Sequence, residues 1–324
     1  MSLSCQVRME FCRPPADLAA YFTSFYIVDI QVPAGGRVSD YLHPEWGNLR
    51  FFSGRSVQAT AQTGDIVADT GFFATGPSSK ALHFSTGTTR MWGVGLLPLG
   101  WAKFLRVAAS DFADVVLDGS AHPDMAGFAA LAAGLFGPVS DRDAELAWIS
   151  AWFRARLHET VADEARILAI HAALVDSDVT TVSALVERAG ASPRTVERLC
   201  CRVFGFPPKL LLRRQRFMRS LSQFMLDPSL RWIGAMDCHY HDQAQFVRDF
   251  RKFMGMSPRE YGGLDHPILD VFVRERQRLA GSPVQALDDP RGGSLALRLG
   301  MRGVTGEVPA AGGDPAIAVG SLAP

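Results

Sequence analysis

Two stretches of this 324-residue chain, 50 residues apart, carry matching patterns of charged and amide side chains. One runs from Ser192 to Pro208 and the other from Asp242 to Pro258. Each opens on a residue whose side-chain oxygen can accept from the free amides of a first helical turn. Val196, Cys200 and Val203 then form one apolar stripe, and Phe246, Phe250 and Phe253 form its twin. Opposite the stripes stand Arg194, Arg198 and Arg202 in the first copy, and Gln245, Arg248 and Lys252 in the second. Each copy closes on a glycine, Gly205 or Gly255, with proline three residues later, which is a helix stop. On a helix lying in a major groove, arginine can fork onto guanine O6 and N7, and glutamine onto adenine N6 and N7. The chemistry on offer is the reading of base edges.

A shorter helix is expected ahead of each copy. Val182–Ala189 precedes the turn Gly190-Ala191, and Trp232–Cys238 precedes His239-Tyr240-His241. A short helix, a tight turn and a longer helix with a polar outer face make a helix-turn-helix. An ordinary αα-hairpin explains one such unit but poorly explains two matched copies. Between them Pro208–Leu226 reads as one helix, which at 1.5 Å per residue spans about 30 Å. That suits two helices entering successive major grooves about 34 Å apart. Leu211, Phe217, Met218, Leu221 and Met225 form its inward side, leaving Arg213, Arg214, Arg216 and Arg219 for phosphates or solvent. Residues 165–262 hold 15 Lys/Arg against 9 Asp/Glu, whereas residues 1–164 hold 12 against 17. The basic segment points to a polyanionic partner for that part of the chain.

Residues 180–261 resemble the tandem helix-turn-helix domain of the AraC/XylS regulators. The resemblance rests on Ser-Pro-Arg-Thr-Val-Glu-Arg at 192–198, Gly-Phe-Pro-Pro-Lys at 205–209, Asp-Gln-Ala-Gln-Phe-Val-Arg-Asp-Phe at 242–250 and Gly-Met-Ser-Pro-Arg-Glu-Tyr at 255–261. It implies that the first recognition helix presents Arg194, Glu197 and Arg198 to bases, with Arg202 nearer a phosphate. The second would present Gln243, Gln245 and Arg248, with Arg251 on the phosphate side. The implied partners are double-stranded DNA, RNA polymerase and a second copy of the chain. One departure stands out: the family usually has Gly at the turn of the second unit, where this chain has His239. A left-handed backbone there would be more costly for His than for Gly.

From Tyr21 to about Trp92 the sequence reads as short strands broken by Gly-rich turns, which suits a small barrel or sandwich. Leu99–Val107, Met125–Phe136 and Ala144–His158 then carry helical periodicity. The expected fold is α+β with two domains: a cupin-like β-barrel with a helical layer over 1–160, and an all-α tandem helix-turn-helix domain over 165–262. Residues 263–324 are expected to give one helix, His266–Leu279, and a disordered tail from Ala280. The resemblance extends loosely to the first domain, where Gly76-Pro77-Ser78-Ser79 is similar to a turn of one subgroup. It implies a small-molecule effector in the barrel and a homodimer through the helices that follow. Tyr41, Trp46, Arg50 and Trp92 are the candidates to line an effector pocket. Ala144–His158 offers Leu146, Trp148, Ile149, Trp152, Phe153 and Leu157, more apolar surface than one packing face needs.

No enzyme is expected, because the chain lacks a nucleophile elbow, a phosphate loop or a zinc signature. The alternative is a cupin-type enzyme with an accessory helical domain. His43, Glu45 and His83 lack the His-x-His pattern of a metal-binding barrel, so neither metal nor cofactor is expected. The five cysteines show no paired-motif spacing; Cys200 reads as a small core hydrophobe and Cys201 as partly exposed. No basic-then-apolar leader opens the sequence, and its apolar runs are shorter than the 18–20 residues that span a bilayer. A cytoplasmic setting without a membrane partner is the expectation.

Overall fold

The computed structural model describes residues 5–227 and 231–290. Its strands are β1 (Gln6–Cys12), β2 (Phe22–Gln31), β3 (Val38–Leu42), β4 (Asn48–Phe52), β5 (Gln58–Thr60), β6 (Ile66–Ala68), β7 (Phe72–Thr75), β8 (Leu82–Thr86), β9 (Thr89–Leu96) and β10 (Val116–Asp118). They pair antiparallel in two sheets, β1-β2-β9-β4-β7-β10 and β3-β8-β5-β6. The sheets face each other across a cavity of about 60 Å³, with Val28, Ile30 and Met91 on one wall and Val57, Ala59 and Phe84 on the other. This is the expected barrel, with one strand more at its start than the sequence reading placed. Val7, Met9 and Phe11 alternate with Gln6, Arg8 and Glu10, and β1 lies alongside β2 with Val7 opposite Ile30.

Within the barrel Tyr26 sits opposite Gly93, and any Cβ at 93 would overlap the tyrosine ring. The open space lets the hydroxyl donate to Asn48 Oδ1 at 3.1 Å and accept from Arg50 Nε at 3.1 Å.

The helical layer comprises α1 (Pro98–Phe104), α2 (Ala129–Ala133) and α3 (Arg142–Arg154). The helix expected over Met125–Phe136 is a 3₁₀ turn at Pro123–Phe128 followed by α2. Asp141 caps α3 by accepting from Ala144 N at 3.0 Å. The apolar surplus of this region is mostly consumed within the chain. Ile149, Trp152 and Phe153 are buried with the barrel residues Phe22 and Phe25, and Leu146 and Leu157 pack against the same core. Trp148, 39% exposed, is what remains.

Beyond this layer come α4 (Glu164–Val175), α5 (Val182–Ala189), α6 (Pro193–Phe204), α7 (Pro208–Leu226), α8 (Arg231–Ala235), α9 (Gln243–Met254), α10 (Pro258–Tyr261) and α11 (Leu269–Ala280). The helices do not form a core of their own. Trp46, Leu97 and Leu99 share one apolar cluster with Ile170, Leu199 and Phe204.

The tail departs from expectation. From Ser282 to Leu287 every residue is buried, and Val284, Ala286 and Leu287 join Phe217, Met218 and Leu221 of α7. Gln215 Nε2 donates to Ala286 O at 2.7 Å, and Gln285 Nε2 donates to Thr23 Oγ1 at 2.9 Å. The Ala, Pro and Gly content that read as disorder here forms a strap that needs no periodicity, because it packs residue by residue into a groove. The disorder expected beyond Pro290 lies outside the described residues. Asp40 on β3 anchors the start of α11, accepting from Ile268 N at 2.9 Å, Leu269 N at 2.8 Å and His266 Nδ1 at 2.9 Å. It supplies the N-terminal cap of α11 from 229 residues away.

Burial disfavours a charged His266, but the hydrogen bond and charge of Asp40, with Asp270 nearby, outweigh it and raise the imidazole above its usual value. The contribution of this pair to stability is therefore complete below about pH 6.5 and is lost as pH rises through the raised value. Proteolytic cleavage within 264–290 is expected to accelerate across that window, and Asp40→Asn should flatten the dependence. Cleavage rates independent of pH in the intact protein would contradict this linkage.

Candidate nucleic-acid interface

Both expected recognition helices form, and their caps match. Ser192 Oγ accepts from Thr195 N at 3.2 Å to start α6, and Asp242 Oδ1 accepts from Gln245 N at 2.6 Å to start α9. Val196, Cys200 and Val203 are buried, as are Phe246, Phe250 and Phe253. The other faces are bare. Arg194, Glu197, Arg198 and Arg202 are exposed on α6; Gln243, Arg248 and Arg251 are exposed on α9.

Two of these side chains are already engaged. Gln245 is half-buried and its Oε1 accepts from His241 N at 3.1 Å, leaving its amide NH₂ for a base. Arg198 Nη2 lies 3.1 Å from Asp163 Oδ2, so this arginine must give up a half-exposed ion pair to reach a base. Such pairs are worth about 0–1 kcal/mol, a small toll.

The turns differ. Gly190 ends α5 in the left-handed region at φ 58°, as the first unit requires. In the second unit His239 is absent from the residues of positive φ, so the backbone cost expected there does not arise. Here α8 stops at Ala235, three residues short of the expected Cys238. The turn is held by Asp237, whose Oδ1 accepts from His239 N and lies 2.9 Å from His239 Nδ1. A side chain replaces the glycine.

The arginines of α7 are the main correction. None is free for phosphate. Arg213 and Arg216 both pair with Asp249, which is fully buried and also accepts from Tyr240 Oη at 3.1 Å. Arg219 Nε donates to Asp237 Oδ2 at 2.5 Å. Arg214 is fully buried beneath the barrel, donating to Ser78 O at 2.9 Å with its guanidinium 4.0 Å from the Trp46 ring. Burial lowers its pKa to about 9, and the charge of Asp114 offsets only part of that. The missed residues are thus Asp237 and Asp249. Asp249 was visible as an acid inside the stripe Phe246, Phe250, Phe253, where burial obliges it to find cations.

The barrel candidates do not converge. Arg50 lines the cavity, paired with Glu45 at 2.5 Å and bonded to Tyr26 and Thr75. Burial opposes its charge, and Glu45 and Tyr26 more than offset that. Tyr41 packs edge-on against His83 outside that cavity, and Trp46 does the same against His171. Trp92 Nε1 donates to Glu145 Oε2 at 2.5 Å in the α3 interface. His43, weighed as a ligand, bonds Tyr261 Oη at 2.8 Å and stays neutral, its pKa lowered to about 3 by burial and then by His266. Burial pushes the Cys200 thiol well up, and that of Cys201 up as well, which suits core packing over redox chemistry. No helix among the described residues is long and apolar enough to cross a membrane.

The geometry agrees with comparison to known proteins. Residues 185–263 match the helix-turn-helix domain family, spanning α5 to α10 and so both units. They form a helix-turn-helix domain of the AraC type. YkgA of Escherichia coli (strain K12), named as an HTH-type transcriptional regulator, is 25% identical over 103 residues. That stretch is 30% of this chain and 43% of YkgA, so the likeness spans less than half of the relative. Among solved structures, ToxT from Vibrio cholerae is 11% identical, with 80% of this chain and 98% of ToxT covered and a TM-score of 0.40. The AraC-like transcriptional activator CuxR is 14% identical over 67% of this chain and 87% of its own, with a TM-score of 0.25. At such scores the chains share no more than a loose layout. In this helix-turn-helix domain the outer faces of α6 and α9 are the parts left uncovered.

Proposed function

We propose that the protein is a sequence-specific, DNA-binding transcription regulator, with α6 and α9 as reading heads and the barrel as the seat of a small-molecule effector. The observation that carries it is the pair of capped helices whose apolar stripes are buried and whose Arg and Gln faces are bare. Double-stranded DNA is the partner. Arg194, Glu197, Arg198, Gln243, Gln245 and Arg248 are assigned to bases, and Arg202 and Arg251 to phosphates. The effector reading rests on the cavity between the sheets; because Arg50 is already neutralised by Glu45, the cavity suits an uncharged, apolar molecule. The enzyme alternative gains nothing there, since Tyr26, Arg50 and Thr75 are bonded to one another. RNA polymerase and a second copy of the chain remain part of the proposal, but α3 supports a homodimer only through Trp148 and its surroundings. A cytoplasmic location follows from the regulator reading.

The test is selection from random duplexes with the full chain, because α4 and α6 share their core with the barrel. A two-part motif with centres about one helical turn apart is expected. Arg198→Ala should relax preference at one position, a loss of about 1–3 kcal/mol of discrimination. Arg202→Ala should weaken all sequences alike. The strain once expected at His239 is absent, so Arg248→Ala should have an effect comparable to that of Arg198→Ala. Uniform weakening by Arg198→Ala would remove that residue from base readout, and no enrichment from the pool would refute the function.

A further inference from the structure

The turn between α8 and α9 brings together three consecutive donors of different chemistry, and the reading-head assignment does not use them. Asp237, Cys238 and His239 place a carboxylate oxygen, a thiol sulfur and an imidazole nitrogen within 4.8 Å of one another. Cys238 Sγ is 3.5 Å from His239 Nδ1, and Asp237 Oδ1 is 2.9 Å from the same nitrogen. In a tetrahedral zinc site with Zn–S of about 2.3 Å and Zn–N of about 2.1 Å, sulfur and nitrogen stand about 3.6 Å apart. The sulfur–nitrogen separation needs almost no change, whereas Asp237 Oδ1 must move from 2.9 Å to about 3.4 Å from the nitrogen as the ion replaces their hydrogen bond.

The carboxylate is held as an orienting shell would hold it. Arg219 Nε occupies its Oδ2 at 2.5 Å, and Ser220 Oγ accepts from Asp237 N at 2.8 Å. Oδ1 accepts from His239 N at 2.9 Å and also faces the imidazole nitrogen. Cys238 is the one exposed thiol of the five, so an ion has an open approach.

The geometry points to a site for a thiophilic divalent cation, Zn²⁺ in the first place, in the turn of the second helix-turn-helix unit. Cys238 Sγ, His239 Nδ1 and Asp237 Oδ1 are its ligands, and water takes the fourth position. Thiolate and imidazole select zinc or cobalt over magnesium and calcium. On binding, the thiol proton leaves, and the imidazole carries its proton on Nε2 instead of Nδ1. One proton is released per ion, so uptake strengthens as pH rises. Three protein ligands make an exchangeable site, and the ion fastens the turn that orients α9.

The experiment is titration of the metal-free full chain with Co²⁺, followed by its visible ligand-field bands and by the near-ultraviolet thiolate-to-metal band. Expected are tetrahedral bands that Zn²⁺ abolishes, uptake that weakens as pH falls, and a loss of affinity of at least tenfold in Cys238→Ser. Cys5→Ser, far away on the barrel edge, should keep both bands. His239→Gln should weaken uptake while retaining a weak thiolate band, which separates ligand loss from unfolding. Circular dichroism is expected to be unchanged in Cys238→Ser, since this side chain is exposed. Absence of a thiolate band up to millimolar Co²⁺, or a band of equal strength in Cys238→Ser, would overturn the site. Either result leaves the DNA-binding reading intact.

Discussion

Raising salt from 50 to 200 mM is expected to cost the full-length protein roughly 10³ in affinity for duplex DNA. The arithmetic follows from which cations the fold leaves available. With α7 turned inward, the exposed cations of the domain with no ion pair among the described residues are Arg194, Arg202, Lys209, Arg231, Arg248, Arg251, Lys252 and Arg259. Two of these are assigned to bases, which leaves about six for phosphate, supplemented by the amides at the starts of α6 and α9. A slope near −0.9 per neutralised phosphate then gives roughly 10³ over a fourfold change in salt, well short of the 10⁵ that ten contacts would produce. Arg251→Ala and Lys252→Ala should each reduce the slope by about one. Arg213→Ala should leave it unchanged, because that side chain neutralises Asp249. A flat salt profile, or a slope that falls with Arg213→Ala, would contradict the assignment.

Asp249→Ala is expected to destabilise the protein by about 3 kcal/mol. Removing one member of a buried ionic cluster typically costs about 3–5 kcal/mol because its partners lose their counter-charge. Here the carboxylate is fully buried, while Arg213 and Arg216 are 36% and 20% exposed and can recover some hydration. That places the loss at the lower end. The hydroxyl of Tyr240 loses its acceptor too. Because these partners join α7, α9 and the turn ahead of α9, the damage should concentrate in the second unit. Urea unfolding measures the loss, and hydrogen exchange should show α8 and α9 opening before α5 and α6. Asp249→Asn keeps the shape and part of the hydrogen bonding, so it should fall between wild type and Ala. A change below about 0.5 kcal/mol in Asp249→Ala would show that the cluster does not fasten the unit.

The two reading heads were legible in the sequence because their signals are local. A cap, an i, i+3, i+4 stripe and a closing glycine all lie within 17 residues, and the 50-residue offset repeats them. The barrel is legible as strand texture from Tyr21 onward, and the alternation of Val7, Met9 and Phe11 in β1 extends it toward the N-terminus. What the sequence could not show is which partner each arginine of α7 meets. Helical spacing puts Arg213 and Arg216 on a flank that could equally face water, and only the fold brings Asp249 to them, 36 and 33 residues on. The candidate pocket failed for a related reason. Tyr41, Trp46 and Trp92 were chosen as residue types, yet each ring is committed to a different neighbour by the packing of elements distant in sequence. The strap around Val284 carries no period, because it borrows its order from the surfaces it fills.

Those surfaces also set a competition. Ile268 and Phe272 line the same cavity that an apolar effector would enter, and they follow α9 and α10 directly in the chain. A ligand reaching that space competes with side chains of the protein itself, present at the high effective concentration of an intramolecular tether. Its apparent affinity is the intrinsic affinity scaled by the fraction of molecules in which the plug is withdrawn. By the same reciprocity, on the proposed reading whatever withdraws the plug would draw the ligand in, and a filled barrel would favour release of α11.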